Sequence, residues 1–172
     1  MKKLRLVTAP GIALSLAFLL VAPVAAAQPL MDRFDSNPSD LPAGEPCAFP
    51  VLRDALTGFD MTREYSNGKF VFSAHVDVLL TNPENGKTFV HKAKFNATDY
   101  YDGATGIDVG TVSGQVLNQF APGDVGPFGV VGPNGALYRM VGWESYTWDD
   151  NAGHYTAFAW KGTVTDICAL LS

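Results

Sequence analysis

Cysteine, histidine and basic residues are all scarce in this chain of 172 residues. It has two cysteines, three histidines, and 12 Lys and Arg against 17 Asp and Glu. Nucleic acids and anionic membranes are bound through a basic surface, so the charge balance argues against both as partners. The histidines show no metal-ligand spacing, so the sequence predicts no metal site and no cofactor.

Motifs that carry catalysis are also missing. The chain has no Gly-x-Ser-x-Gly turn for a nucleophile, and the glycine-rich residues 126–135 follow no β–α pattern that would make them a phosphate loop. We predict that residues 126–135 form a flap over one end of the fold. Two acidic loops depart from the calcium-loop pattern and are interpreted as ordinary turns. Their polar side chains are Asp99, Asp102 and Asp108 in one loop and Asp149, Asp150 and Asn151 in the other.

The first 27 residues have the features of a secretory signal. A basic start is followed by an apolar run at residues 12–21 and by three alanines that end at Ala27. The run is too short for a transmembrane helix, which needs about 20 apolar residues. We therefore predict a secreted protein that is cleaved near Ala27 and keeps no integral membrane segment. Without these residues the chain has nine Lys and Arg against 17 Asp and Glu, a net charge of about −8.

The two cysteines, Cys47 and Cys168, are predicted to pair, because an exported protein meets oxidising conditions. Such a bond closes a loop of about 120 residues and contributes roughly 4 to 5 kcal/mol in the chain-entropy model. The alternative is two separate buried thiols. A redox role is disfavoured, since redox pairs are usually close in sequence.

One domain is predicted, preceded by a short leader. Residues 28–46 are polar, contain four prolines and have no periodicity, so they are interpreted as a flexible lead-in. Residues 47–172 form the folded domain, which is long enough to bury a core.

Alternating apolar residues predict that this domain is all-β. In residues 70–80, and in residues 89–97 apart from His91, every second side chain is apolar, and turn signals recur every 10 to 15 residues. The Asn67–Gly68 pair predicts a tight hairpin with positive φ at both residues. Residues 50–59 fit either a helix or a strand, and Cys168 shares the inward parity of a final strand. We predict about eight antiparallel strands in a lipocalin-like or allene-oxide-cyclase-like barrel closed by the disulfide.

Three stretches of the sequence resemble small secreted proteins of actinobacteria. They are CAFPV at residues 47–51, TNPENGKT at residues 81–88 and GTVTDICALL at residues 162–171. The resemblance covers residues 47–172, and its cysteine-bearing ends are its most specific part. It implies export and an all-β barrel-type fold, and it transfers no catalytic residue.

Two polar residues are candidates for chemistry inside the barrel. His91 falls among apolar residues on the predicted inner face, where it could act as a general base or orient a ligand. Glu144 is the best candidate for a carboxylate beside it. The alternative for His91 is a histidine near the barrel mouth that is satisfied by backbone or water.

Aromatic residues crowd two adjacent strands near the end of the sequence, and they are the candidate ligand-binding residues. Cross-strand packing of the rings is one explanation, and a cavity or exposed patch for an apolar ligand, a glycan or a protein is the other. The candidates are Tyr138, Trp143, Tyr146, Trp148 and Trp160.

These features favour a non-catalytic binding module that carries a small apolar ligand or contacts an extracellular partner. Two alternatives stay open. One is a small barrel enzyme of the allene-oxide-cyclase type, which acts on an apolar substrate through His91 and Glu144. The other is a structural protein of the cell envelope.

Overall fold

The computed structural model describes residues 30–34 and 37–172, so the predicted signal at residues 1–27 lies outside the described residues. Strands dominate, and the all-β prediction is confirmed. The described ranges contain no helix long and apolar enough to cross a membrane. The elements are β1 (Leu30–Phe34), β2 (Asn37–Leu41), β3 (Val51–Glu64), β4 (Lys69–Thr81), β5 (Thr88–Asp102), β6 (Ile107–Phe120), β7 (Val125–Gly126), β8 (Gly129–Val130), β9 (Ala136–Asp149), β10 (His154–Asp166) and α1 (Ile167–Leu171).

Eight of the strands form one antiparallel sheet. Its order is β1-β3-β4-β5-β6-β9-β10, and β2 pairs with β3 beside β1. Strands β7 and β8 form a separate small hairpin. Within the described ranges the pairing is an open path, with no ladder that joins β10 to β1, β2 or β3.

The lead-in predicted to be flexible contributes two strands to this sheet. Leu30 pairs with Thr62 in the β1 ladder, and Leu41 pairs with Val51 in the β2 ladder. The prediction for this segment was wrong because the ladder with β3 is made by backbone groups, which need no alternation of side chains. Pro38 is tolerated in β2 because this strand lies at the edge of the sheet.

The predicted alternation of β4 and β5 is confirmed. Buried or half-buried side chains from Phe72 to Leu80 and from Phe89 to Ala97 share one face. The hairpin between β3 and β4 differs in detail from the prediction. Gly68 has a φ of +76°, whereas Asn67 has a negative φ, so the turn is a longer loop with glycine at its left-handed position.

The predicted disulfide between Cys47 and Cys168 is confirmed, with a Cα–Cα distance of 5.5 Å. Cys168, however, lies in α1 and not in a final strand. The Asp166 side chain accepts a hydrogen bond from the Ala169 backbone N–H, which starts the helix one residue after β10 ends. The bond therefore joins the loop before β3 to the helix after β10. Around it lies a core cluster of Cys47, Val51, Val78, Leu80, Leu137, Ile167 and Leu171.

A row of three glycines folds the sheet. Gly114, Gly142 and Gly162 are aligned across β6, β9 and β10, with φ angles of +125°, +142° and +143°. A Cβ on Gly142 would lie 2.2 Å from the Lys161 backbone oxygen, so no other residue fits without a shift. Glycine at such places marks a sharp bend in a strand.

Ring contacts show how far the sheet bends. Phe120 pairs with Ala136 at one end of β9, and Tyr155 pairs with Trp148 at the other end. In a straight strand these ends would be about 40 Å apart. The rings of Phe120 and Tyr155 are nevertheless 5.5 Å apart. The strands must therefore fold back at the glycine row.

Candidate functional site

A cavity of about 290 Å³ lies on the inner face of the sheet between β3 and β6. Its walls are mainly small or medium apolar side chains, and several of them are only half-buried, so the cavity is open to solvent. The apolar lining consists of Ala55, Phe72, Ala74, Val76, Val78, Ala93, Phe95, Val116 and Leu117.

His91 lies at the floor of this cavity. It pairs with Val78 across the ladder, is 0 % exposed, and neither of its ring nitrogens has a hydrogen-bond partner among the described residues. Burial lowers the pKa of His91 to about 4, with the charge of Arg139 adding to the effect and that of Asp77 opposing it. The imidazole is therefore neutral at neutral pH, with one donor and one acceptor nitrogen.

Two charged residues of opposite sign line the cavity on the β3 side. Arg53 is exposed at the rim, and its Nε donates a hydrogen bond to Ser39 Oγ at 3.1 Å. Asp60 is half-buried. The sequence did not identify either residue: residues 50–59, which include Arg53, fitted a helix as well as a strand, and Asp60 follows directly after them. Ala55 and Asp60 lie on the same face of the sheet as the inward residues of β4, because the bulge near Ala55 shifts the alternation of β3 by one residue. This shared face is the signal that could have identified Asp60.

Two other depressions lie elsewhere on the sheet, with volumes of about 270 and 460 Å³. The first is lined by residues of β2, β3 and β4, and the second by residues of β5, β6 and β9. None of their lining residues is buried, and so neither presents a desolvated polar group to a ligand. The His91 cavity is thus the better candidate for a specific site.

Glu144 lies in a more closely packed region, next to the row of three glycines at which the strands fold back. It is 4 % exposed and accepts a hydrogen bond of 2.8 Å from Asn118 Nδ2. Burial raises the pKa of Glu144 to about 7, and the Asn118 hydrogen bond offsets part of that rise. The void beside it, next to Gly114 and Trp160, measures only about 10 Å³, which is room for about one water molecule.

The predicted hydrogen-bonded pair of His91 and Glu144 does not form. Both side chains are buried, but His91 has no partner and Glu144 is bonded to Asn118. The prediction of this pair was wrong because alternation indicates which face of the sheet a residue occupies and not which residues it contacts. Where the strands fold back at the row of three glycines, Asn118 lies next to Glu144 instead.

The aromatic candidates divide between the two faces. Trp143 points outward and is 46 % exposed, between Ser113 and Lys161 in the ladders. The other four lie on the inner face in one network of ring contacts, such as Trp148 with Tyr155 at 5.0 Å. None of the five lines the 290 Å³ cavity. The network comprises Phe120, Phe128, Tyr138, Tyr146, Trp148, Tyr155, Phe158 and Trp160.

The hairpin of β7 and β8 covers this aromatic network. Phe128 at its tip packs edge-on against Tyr138 and Trp160, and the Trp160 Nε1–H donates to the Pro127 carbonyl at 3.1 Å. Asp124 is buried and accepts hydrogen bonds from the backbone N–H groups of Ala121 and Tyr155. The glycine-rich segment is thus fastened over the rings.

Acidic side chains gather near the opposite turns without forming a metal site. Tyr146 reaches over Gly110 to donate a hydrogen bond of 2.7 Å to Asp99, and burial raises the pKa of Asp99. Burial and the neighbouring carboxylates of Asp99 and Asp150 also raise the pKa of Asp108. Residues 30–34 and 37–172 contain no group of three His, Cys, Asp or Glu side chains that could hold a metal ion.

No protein-family model, curated protein or solved structure matches this chain significantly. Function is therefore inferred from the cavity, from the polar groups that line it and from the filled aromatic region beside it.

Proposed function

We propose that this protein is a secreted, non-catalytic binding module that carries a small apolar molecule in the cavity between β3 and β6. The observation that carries the proposal is a cavity of about 290 Å³ with apolar walls and one fully buried polar side chain, His91. Small-molecule sites in proteins combine these features.

The apolar walls supply the energy for binding. Half-buried side chains such as Phe72, Val76 and Phe95 face the cavity. Covering them removes apolar surface from water, which is favourable by about 25 cal/mol per Å². The volume of the cavity is at the lower end of the range for ligand pockets, which starts at about 300 Å³, so the ligand is small.

Binding is favoured over catalysis because the cavity holds one potential acid or base without a second group to orient it. A general base is normally held by a hydrogen bond to an orienting group. His91 has no such partner, and Glu144, the carboxylate proposed for that role, is bonded to Asn118. Among the predicted ligand residues, only Trp143 points outward. It stands between Ser113 and Lys161 in the ladders, so these residues do not form the outward aromatic patch that a partner protein or glycan would need.

The proposal includes closure of the curved sheet into a barrel. Two observations support it. Residues of β3 and of β6 line the same cavity, although two strands separate them in the sheet order. Val51 of β3 and Leu137 of β9 belong to one core cluster, whereas in a flat sheet these strands would be about 19 Å apart.

Secretion is part of the proposal as well. The disulfide between Cys47 and Cys168 suits an oxidising compartment, and the basic, apolar and small-residue order of the first 27 residues suits a cleaved signal. The resemblance to small secreted actinobacterial proteins points in the same direction.

Native mass spectrometry of the protein secreted by its own host tests the proposal. We expect a mass excess that disappears on denaturation and corresponds to one small molecule. Ala93→Trp, which fills the cavity, should lose this excess, and Ala159→Trp on an exposed position of β10 should keep it. A bare wild-type chain, together with no uptake of apolar dyes, would refute the carrier function.

A further inference from the structure

We infer that the outer face of the sheet binds the carboxylate or phosphate group of a small molecule, and that Arg139 and Lys92 donate the hydrogen bonds to this group. The site is the depression lined by residues of β5, β6 and β9. It shares no lining residue with the cavity between β3 and β6, so the inference does not depend on the proposed carrier function.

Three adjacent strands each contribute one polar side chain to this depression. They are Lys92 of β5, Gln115 of β6 and Arg139 of β9. Each of them is next in sequence to a buried residue, and successive side chains of a strand point to opposite faces, so the polar three belong to the outer face. The buried neighbours are His91, Val116 and Met140.

The depression lies where β5 and β6 move apart. The ladder between them stops at the pair of Lys94 and Gln115. Both strands continue beyond this pair, β5 to Thr88 and β6 to Phe120. There the side-chain amide of Gln115 donates a hydrogen bond of 2.7 Å to the Lys92 carbonyl, in the place of a backbone donor. The separation of the strands leaves the recess that these side chains line.

Gln115 also holds the guanidinium of Arg139. Its Oε1 accepts a hydrogen bond of 3.0 Å from Arg139 Nη2, so one amide links β9 to the backbone of β5. A guanidinium has five N–H donors in a planar fork, and this bond uses one of them. Most of the fork is therefore left for a carboxylate or phosphate, which it fits geometrically.

The local charge is positive although the whole protein is acidic. Lys94, which pairs with Gln115, adds a third cation to Lys92 and Arg139. Asp77 lies opposite Lys92 in the ladder with β4 and opposes them with one negative charge. Both signs are felt at the buried His91 beside them: burial lowers its pKa, the charge of Arg139 adds to the effect, and that of Asp77 offsets part of it. Three cations against one carboxylate attract an anion.

A small ligand with one anionic group fits this patch better than a polyanion. Without the predicted signal the net charge of the chain is about −8, which repels nucleic acids and anionic membranes over a wide surface. Val90, which is 49 % exposed, and the half-buried Phe89 line the rest of the depression. They offer an apolar contact to the carbon skeleton beside the anionic group.

Acetate and phosphate test the inference, titrated into the full protein at neutral pH and constant ionic strength with chloride as the background anion. Nitrogen–proton NMR follows the side-chain Nε–H of Arg139 and the backbone N–H of Lys92. We expect both signals to shift saturably, with a dissociation constant in the millimolar range because the site is open to water. The anion that binds more tightly identifies the ligand group as a carboxylate or a phosphate.

Arg139→Gln and Lys92→Gln each remove one of the two proposed donors. We expect either variant to weaken the binding of the preferred anion by about fivefold or more. Lys161→Gln removes the same charge from an exposed position of β10 and is the matched control, which should change the affinity less than about twofold. Thermal unfolding of the three variants verifies that they fold.

Absence of a saturable shift with either anion overturns the inference. Equal losses of affinity in all three variants also overturn it, because they would show general attraction by the net charge and not a site. Undiminished affinity in Arg139→Gln or in Lys92→Gln overturns the role of that residue. The carrier function stands or falls separately, because a charged probe is unfavourable in an apolar cavity.

Discussion

The two ends of the sheet share one concave face but use it differently. On β4 and β5 the inward residues near the cavity are small or medium, for example Ala74, Val78 and Ala93, and they leave about 290 Å³ open. On β9 and β10 large rings such as Tyr146 and Trp160 fill the face. Alternation therefore decides which residues point inward, and the volume of those residues decides whether the interior is filled or open.

The same contrast separates the two buried titratable groups. His91 lies in the open region without a partner, and Glu144 lies in the filled region with Asn118 as its donor. Burial lowers the pKa of His91 to about 4 and raises the pKa of Glu144 to about 7, so each environment favours the neutral form. Of the two, only His91 borders the cavity of about 290 Å³.

The largest effect on the free energy of unfolding is expected from the Cys47–Cys168 disulfide, which links the β3 side of the sheet to the β10 side. Replacing both Cys47 and Cys168 by Ser removes the link between the loop before β3 and α1. We expect a loss of about 4 kcal/mol in the free energy of unfolding, because the bond closes a sequence separation of 121 residues. Urea unfolding of the variant and of the wild type measures it. A loss under about 1 kcal/mol would show that the core cluster alone joins the regions.

The second-largest effect on the free energy of unfolding is expected from a substitution in the row of three glycines at which the strands fold back. Gly142→Ala places a Cβ 2.2 Å from the Lys161 backbone oxygen at a φ of +142°, and we expect a loss of about 3 kcal/mol. Gly86→Ala is the control, because its φ of +73° is also positive but its Cβ meets nothing within 4 Å. That variant should lose only about 1 kcal/mol. Equal losses in urea unfolding would contradict a steric requirement at the fold.

Opposite pH dependences should distinguish His91 from Glu144. The pKa of His91 in the folded protein, about 4, is below the ordinary value of 6.5. The contribution of neutral His91 to the free energy of unfolding is therefore complete above pH 6.5 and is lost as the pH falls toward 4. The folded pKa of Glu144, about 7, is above the ordinary value of 4.5, so its contribution is lost as the pH rises toward 7. Each loss is limited to about 3 kcal/mol.

Single variants should expose these two trends, which oppose each other in the wild type. His91→Leu should leave a stability that falls as the pH rises, and Glu144→Gln should leave one that falls as the pH decreases. Chemical denaturation at a series of pH values measures both. Parallel pH profiles for the two variants and the wild type would contradict the neutral state of these side chains.

The smallest effect is expected at Trp143, the outward member of the aromatic candidates. Trp143→Ala should lower the free energy of unfolding by about 1 kcal/mol, because the side chain is 46 % exposed and buries only part of its surface. Trp160→Ala should cost about 3 kcal/mol, because this ring packs against Phe128 and donates to Pro127. Similar losses in thermal unfolding would contradict the division of the aromatic residues between the two faces.

Much of the fold could be predicted because its signals are local. The alternation in residues 70–80 and 89–97 assigned faces correctly and placed His91 inside. The disulfide followed from the count of two cysteines and the signal-like start. The short helix α1 was missed because the alternation of apolar residues in β10 continues past the helix cap, Asp166, as far as Cys168.

The site was harder to predict because it depends on residues distant in sequence. Arg53 and Asp60 reach the cavity through the curvature of the sheet and the bulge near Ala55, and neither feature is encoded in a short window. The partnership of Glu144 with Asn118 depends on a bend at three glycines that alternation treats as ordinary strand positions.

The core cluster around the disulfide also has a consequence for the order of folding. It joins Cys47 and Val51 to Ile167 and Leu171, segments that are separated by almost the whole domain. The hairpins of β3 with β4 and of β9 with β10 have local pairings and can form early. Contacts between segments so distant in sequence form late, since closing a long loop costs chain entropy before any contact is gained. We therefore expect slow folding in which a sheet with an open base forms first and α1 seals that base last.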